Sequence, residues 1–268
     1  MKIIKFAGML MLVAFLIVSC SDDSSTNPET TKNYFPNTTG NYWIFNEYTL
    51  DIDNQKENPD IPTIDSAAIT GTEVAFGKTL SKYDVFTLIS DIYQKQQEMR
   101  LAYESGTFYM RSNYLNNMMK LDNLPIDLPL QLPDSILKII NTKSSAEFEV
   151  FSKTLKDIPI SYGGINATVN GEFKITSKKS AEDVMTINGV SVKTFKYTLP
   201  ISLTITIKAA IFPIPIPISF STNYNLWIAE NIGIVKTQLE SKNLYVEDVV
   251  DYDYLGFQTE LIRYNVAK

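Results

Sequence analysis

Ile201-Ser202-Leu203-Thr204-Ile205-Thr206-Ile207-Lys208 sets four aliphatic side chains on one face of an extended chain and four polar ones on the other. That is the period of two that a half-buried β-strand requires. The alternation recurs over Tyr42–Leu50, Tyr83–Tyr93, Phe148–Leu155 and Ala167–Ser177. Two turn pairs stand between such runs: Ser105-Gly106 joins Met99–Glu104 to Thr107–Arg111, and Asn188-Gly189 joins Val184–Ile187 to Val190–Tyr197. Pairs of this kind close two-residue hairpins, so the chain reads as an all-β protein with antiparallel pairing.

Outward from this strand lies Phe212-Pro213-Ile214-Pro215-Ile216-Pro217-Ile218, whose prolines fall on every second residue. Alternate residues of a strand aim their N–H groups to one side, so this segment lacks donors along one edge and is expected to be an edge strand. Leu124–Pro133 repeats the pattern with Pro125, Pro129 and Pro133. The alternative for either segment is a polyproline-type crossing. Helix is scarce: Asp134 could cap a short helix carrying Ile136, Leu137, Ile139 and Ile140, and Asn113–Leu121 could add a turn or two with Met118 and Met119.

The N-terminus differs in kind. Lys2 and Lys5 precede an apolar run, Gly8 to Val18, and the chain's single cysteine, Cys20, follows directly. This is the layout of a processed export signal at residues 1–19, too short to span a bilayer. Ile17-Val18-Ser19-Cys20 resembles the lipobox of bacterial lipoproteins, which implies cleavage before Cys20, lipidation of its sulfur and attachment to a membrane through two or three acyl chains. Residues 20–33 then form a polar tether without a large apolar side chain. Ser21-Asp22-Asp23 is either a solvated linker or an acidic signal for the outer face of the outer membrane. Residues 34–268 show no second linker and read as one β-rich domain.

Chemistry is narrowed by what is missing. The formal charge is −6, and cleavage would remove two further lysines, so nucleic acid is a poor partner. With no histidine, the usual general base, the commonest metal ligand and the centre of nucleophilic triads are gone. A lipidated Cys20 removes thiol chemistry too. Asp51-Ile52-Asp53-Asn54 opens like a calcium loop but lacks the later glycine and glutamate, and Glu247, Asp248, Asp251 and Asp253 alternate with apolar residues as on a solvated strand. No metal, cofactor or catalytic residue is therefore assigned. A carboxylate-pair hydrolase is the one enzymatic class left open, with no specific pair to carry it.

Tyr34-Phe35-Pro36 followed by Gly40-Asn41-Tyr42-Trp43, with Trp227–Lys236 and Glu260–Tyr264 near the end, resembles a group of uncharacterised lipoproteins of the Bacteroidetes type. The resemblance implies a strongly curved antiparallel sheet similar to the half-barrel of periplasmic lipoprotein carriers, a β-sandwich being the alternative. It implies structural roles for the motif: tight turns at Gly40 and Gly233, large core surfaces from Trp43 and Trp227.

Two functions are expected from these readings. The first is a non-enzymatic, monomeric lipoprotein of the outer membrane, facing the periplasm or the cell surface, that binds an acyl chain or lipid on a concave face. Met118, Met119, Leu128, Ile136, Ile139 and Ile140 are its candidate contacts, since Leu, Ile and Met concentrate there; the competing use of these side chains is to fill the half-barrel. The second is an adhesive surface protein presenting loops to polysaccharide or protein partners. Asp65-Ser66-Ala67 and Asp134-Ser135-Ile136 resemble O-glycosylation sites, with Ser66 and Ser135 as acceptors.

Overall fold

In the strand that decided the fold, Ile201, Leu203, Ile205 and Ile207 are all buried, while the intervening polar residues are exposed or half-buried. The computed structural model describes residues 32–118, 128, 130–162, 165–209, 214–246 and 250–267, and Lys32–Lys268 is one compact unit. Cys20, the export signal, Met119, residues 124–127 and Glu247–Asp248 lie outside the described residues.

The elements in chain order are β1 (Tyr42–Thr49), β2 (Thr63–Ala75), β3 (Lys78–Ile89), β4 (Ile92–Glu104), β5 (Thr107–Arg111), α1 (Ser112–Met118), β6 (Ile136–Asn141), β7 (Phe148–Tyr162), β8 (Ile165–Ile187), β9 (Val190–Ala209), β10 (Ile216–Ala229), β11 (Gly233–Leu239), β12 (Lys242–Val246), β13 (Val250–Tyr254) and β14 (Phe257–Asn265). Twelve strands form a single antiparallel sheet in the order β6-β5-β4-β3-β2-β1-β14-β11-β10-β9-β8-β7, and β12 and β13 form a separate hairpin. The sheet curls until its ends nearly meet: the Ser177 hydroxyl of β8 donates to the Ile139 carbonyl of β6 at 2.6 Å. The result is a nearly closed barrel and not two stacked sheets. One face of each strand turns inward, so half-buried alternation around the ring yields one continuous core.

Among the described residues, four two-residue turns drive the meander. Phe76-Gly77, Ser90-Asp91, Ser105-Gly106 and Asn188-Gly189 all have positive φ at both residues, the geometry whose twist matches that of the flanking strands. The Ser90-Asp91 turn corrects the expectation of one strand across Tyr83–Tyr93, which is instead the end of β3, a tight turn and the start of β4. Phe76 is unusual in this role, since an aromatic residue in the left-handed region crowds its own backbone.

The chain ends close the sheet at its middle. β1 pairs with β14 along its length, Trp43 opposite Tyr264. The motif residues meet there: the Trp43 indole donates to the Ile232 carbonyl at 2.6 Å, the Asn41 amide donates to the Pro36 carbonyl at 3.1 Å, and the Ala267 N–H donates to the Asn41 side chain at 2.9 Å. Gly40 and Gly233 both adopt positive φ. Trp43 is core as expected. Trp227 is also buried, but on the face opposite Leu226, with Lys196 and Lys236 over its ring and its indole donated to Asp183.

Two segments depart from expectation. Ile136–Ile140 is strand β6 and not a helix: Arg111 pairs with Ile136 and Phe108 with Ile140, and Asp134 caps nothing but pairs with Arg111 at 2.7 Å. The described part of the proline ladder, residues 214–218, does not lie in an outermost strand of the sheet. Ile216–Ile218 begin β10, interior in the sheet, and the outer strands are β6 and β7. The donor argument still operates locally, because β10 pairs with β9 from Ile216 onward whereas its register with β11 begins only at Tyr224. The missing N–H groups thus face a side without a ladder partner. In the other ladder, Leu130 and Leu132 are buried without joining a strand, as a crossing segment would be, and the Asn116 side chain of α1 holds Leu132 through both its N–H and its C=O.

Candidate functional site

The barrel interior is unequally filled. At one end Phe35, Trp43, Phe108 and Leu101 pack without exposure to solvent, Phe35 edge-on to Phe108 with ring centres 5.2 Å apart. Tyr83 bounds this cluster, 5.3 Å from the Trp43 ring, and beyond it opens a cavity of about 380 Å3. This volume lies within the range of small-molecule sites.

Each wall follows from strand alternation. β1 presents Phe45 and Glu47, two residues apart; β2 presents Asp65 and Ala67; β3 presents Tyr83, Val85, Thr87 and Ile89. β4 contributes both Gln96 and Gln97, which a regular strand could not do. The register slips there, with Val85 opposite Gln97 and Phe86 opposite Lys95, so Gln96 is the extra residue of a bulge. Tyr224 of β10, Ile234 and Thr237 of β11, and Phe257 and Thr259 of β14 complete the far wall, and Tyr114 enters from α1. That short helix is fixed at its start by Ser112, whose hydroxyl donates to the Pro133 carbonyl at 2.6 Å and accepts from the Ser135 N–H at 2.9 Å.

The lining mixes polar and aromatic side chains, with Phe45 directly opposite Asp65. Thr87 donates to Asp65 at 2.6 Å, and Thr237 and Thr259 share a hydrogen bond at 2.8 Å. Burial holds the hydroxyls of Tyr83, Tyr114 and Tyr224 above their ordinary range, so they remain neutral donors at physiological pH. Ile89, 41% exposed, and the exposed Gln96 mark the side open to solvent.

Of the ligand contacts expected from sequence, Leu128, Ile136, Ile139 and Ile140 do not line this cavity, and the side chains of Met118 and Met119 lie outside the described residues. Ile139 and Ile140 are fully buried in the core, Leu128 and Ile136 are half-buried, and Met118 ends α1. Among the described residues of the apolar interval, only Tyr114 reaches the wall. Ser66 lies within β2, paired with Ile44 on one side and Phe86 on the other. Ser135 is half-buried and its hydroxyl donates to Pro133. The Asp51 carboxyl accepts the N–H groups of Asp53 and Gln55 within its own turn, and Asn243 bridges Asp251 and Asp253 across β12 and β13. Among the described residues no group of three acidic, cysteine or histidine side chains is placed to hold a metal ion.

No protein-family profile matches the sequence, and no curated protein matches it. Among solved structures the chain is similar to a candidate lipoprotein from Parabacteroides distasonis, at 12% identity and a TM-score of 0.45, over 87% of this chain and 99% of that one. It is also similar to a candidate exported protein with a YmcC-like fold from Bacteroides fragilis, at 14% identity and a TM-score of 0.43, with the same coverage.

Proposed function

We propose that this chain is a lipid-anchored protein of the bacterial outer membrane that acts by binding, holding one amphiphilic ligand such as an acyl chain or lipid inside its barrel. The cavity carries the reading. A well-packed interior leaves few voids larger than a water molecule, yet here about 380 Å3 stays open between Tyr83 and Thr259. Its aromatic side chains suit an apolar body, and the polar ones among them suit a head group. The lipobox at Ile17–Cys20 supplies the location, since two or more acyl chains hold a protein to a bilayer without further contacts.

Native mass spectrometry of the lipidated protein, released from its own envelope in mild detergent, tests both parts. The expected spectrum shows a chain starting at Cys20 with a covalent acyl anchor and, at low collision energy, one additional non-covalent mass. The Cys20→Ser variant is expected in the soluble fraction. A spectrum with the anchor and no second mass would overturn the ligand reading; a Cys20→Ser variant that matures and fractionates with the membrane would overturn the anchor.

A further inference from the structure

Cross-strand register fixes the depth of each lining residue. Trp43, at the sealed end, stands opposite Ala67, and Ala67 stands opposite Val85. Tyr83 stands opposite Met99, and Ile234 adjoins Gly233, which lies against the Trp43 ring. Two residues nearer the mouth, Asp65 faces Phe45 on one side and Thr87 on the other. Beyond them Thr259 stands between Glu47 and Thr237, and Ile89 reaches solvent. The wall is therefore graded by depth. Ala67, Val85, Met99 and Ile234 form an aliphatic bottom around the Tyr83 ring, with carboxylates and hydroxyls above it. Gln97, opposite Val85, is the polar exception at the lower level.

Depth and volume limit what this bottom can hold. From Tyr83 to Thr87 the wall runs four residues, about 13 Å of strand and about 10 Å along the axis of a barrel with tilted strands. An alkyl zigzag advances as a stretched polypeptide does, about 1.2 Å per bond, so that depth takes about eight to ten carbons. The volume agrees: at about 30 Å3 for each non-hydrogen atom, the share of a water molecule in the liquid, a cavity of about 380 Å3 holds about a dozen atoms.

We propose that the cavity takes a single unbranched alkyl chain of about eight to ten carbons, tail first, its end against Ala67 and its polar head beside Asp65 and Thr87. This rests on the ligand-binding reading above and names its ligand class. Ala67 is the position that sets chain length. Among the described lining residues it carries the smallest side chain, and it stands opposite Trp43, where the cavity ends. A larger side chain there raises the floor. A second chain has no room, so a two-chain lipid is excluded.

The test titrates the full lipidated protein, held in zwitterionic bilayer discs, with uncharged alkylglycerol ethers of six to sixteen carbons and with two-chain dioctanoylglycerol. Calorimetry reads binding, with empty discs as blank. Affinity is expected to peak at about eight to ten carbons and to fall at least tenfold by sixteen, with the two-chain probe at least tenfold weaker than the best ether. Ala67→Leu, checked for an unchanged far-ultraviolet spectrum, is expected to move the peak down by about two carbons or more, whereas Ile89→Met, at the mouth, leaves it in place. Affinity that keeps rising through sixteen carbons, or a two-chain probe that binds as tightly as the best ether, overturns the inference whatever the variants do. A peak that Ala67→Leu leaves unmoved overturns the role of Ala67. If a second native mass is present and no peak is found, the length limit is wrong and the ligand reading stands. If no probe binds and no second mass is found, both fall.

Discussion

Gly256→Ala is expected to destabilise the protein by about 3 kcal/mol or more, at the upper end of what overpacking costs. Gly256 lies between β13 and β14, where the end of β1 and the joint of β11 with β12 come together. A Cβ built there would sit 1.9 Å from the Leu239 carbonyl oxygen and 2.8 Å from the Ser241 nitrogen. Both obstacles are backbone, so no rotamer change relieves them. The surroundings are also fully committed: the Gly256 N–H donates to the Ser241 hydroxyl at 2.8 Å, that hydroxyl donates to Leu50 O at 3.2 Å, and Leu50 N–H returns to Gly256 O at 3.1 Å. Equilibrium unfolding in urea measures the effect, and a change below about 1 kcal/mol would show that the junction yields more readily than its hydrogen bonds indicate.

Trp43→Ala is expected to cost about 4 kcal/mol or more, combining the typical loss for a buried tryptophan with an orphaned acceptor. The indole fills the sealed end of the barrel against Tyr83 and Gly233 and donates to Ile232 O. Against a domain stability of about 5–15 kcal/mol, that brings the fold near its limit. Trp43→Phe keeps much of the packing and loses the hydrogen bond, so it is expected to fall between wild type and alanine on the same urea curve. Because Trp43 joins the two chain ends through β1, β11 and β14, its loss should also weaken the cavity wall beside Tyr83. Alanine and phenylalanine variants of equal stability would contradict this assignment.

The strands were readable where one face is buried and the other wet, as in Ile201–Lys208, and the hairpins where glycine follows serine or asparagine. Ser90-Asp91 was missed because no glycine marks it. Ile136–Ile140 misled for a physical reason: the register slips between Phe108 and Tyr109, leaving Ile139 as an extra residue, so Ile139 and Ile140 are both buried. Two buried neighbours break the period of two and imitate a helix. The edge argument for Pro215 and Pro217 found the correct missing donors but could not see that β11 starts too late to need them.

The cavity itself was beyond sequence reading. Its walls come from β1 to β4, α1, β10, β11 and β14, residues as distant as Phe45 and Thr259, and only closure of the sheet assembles them. Glu47 and Asp65 look in sequence like ordinary polar positions on solvated strand faces. The concentration of Leu, Ile and Met between Tyr114 and Ile140 drew attention to side chains of which Leu137, Ile139 and Ile140 fill the core, with Tyr114 the single one at the wall among the described residues.

The account stands on a ligand seated inside the barrel, and methyl-resolved NMR of the protein titrated with the short amphiphile hexanol observes that seat. Saturable shifts are predicted for the methyl groups of Met99, Ala67, Val85 and Ile234, with those of Ile139, Leu226 and the exposed Ile61 and Val184 unmoved. Shifts confined to Ile61 and Val184, or no saturable shift at all, would contradict it.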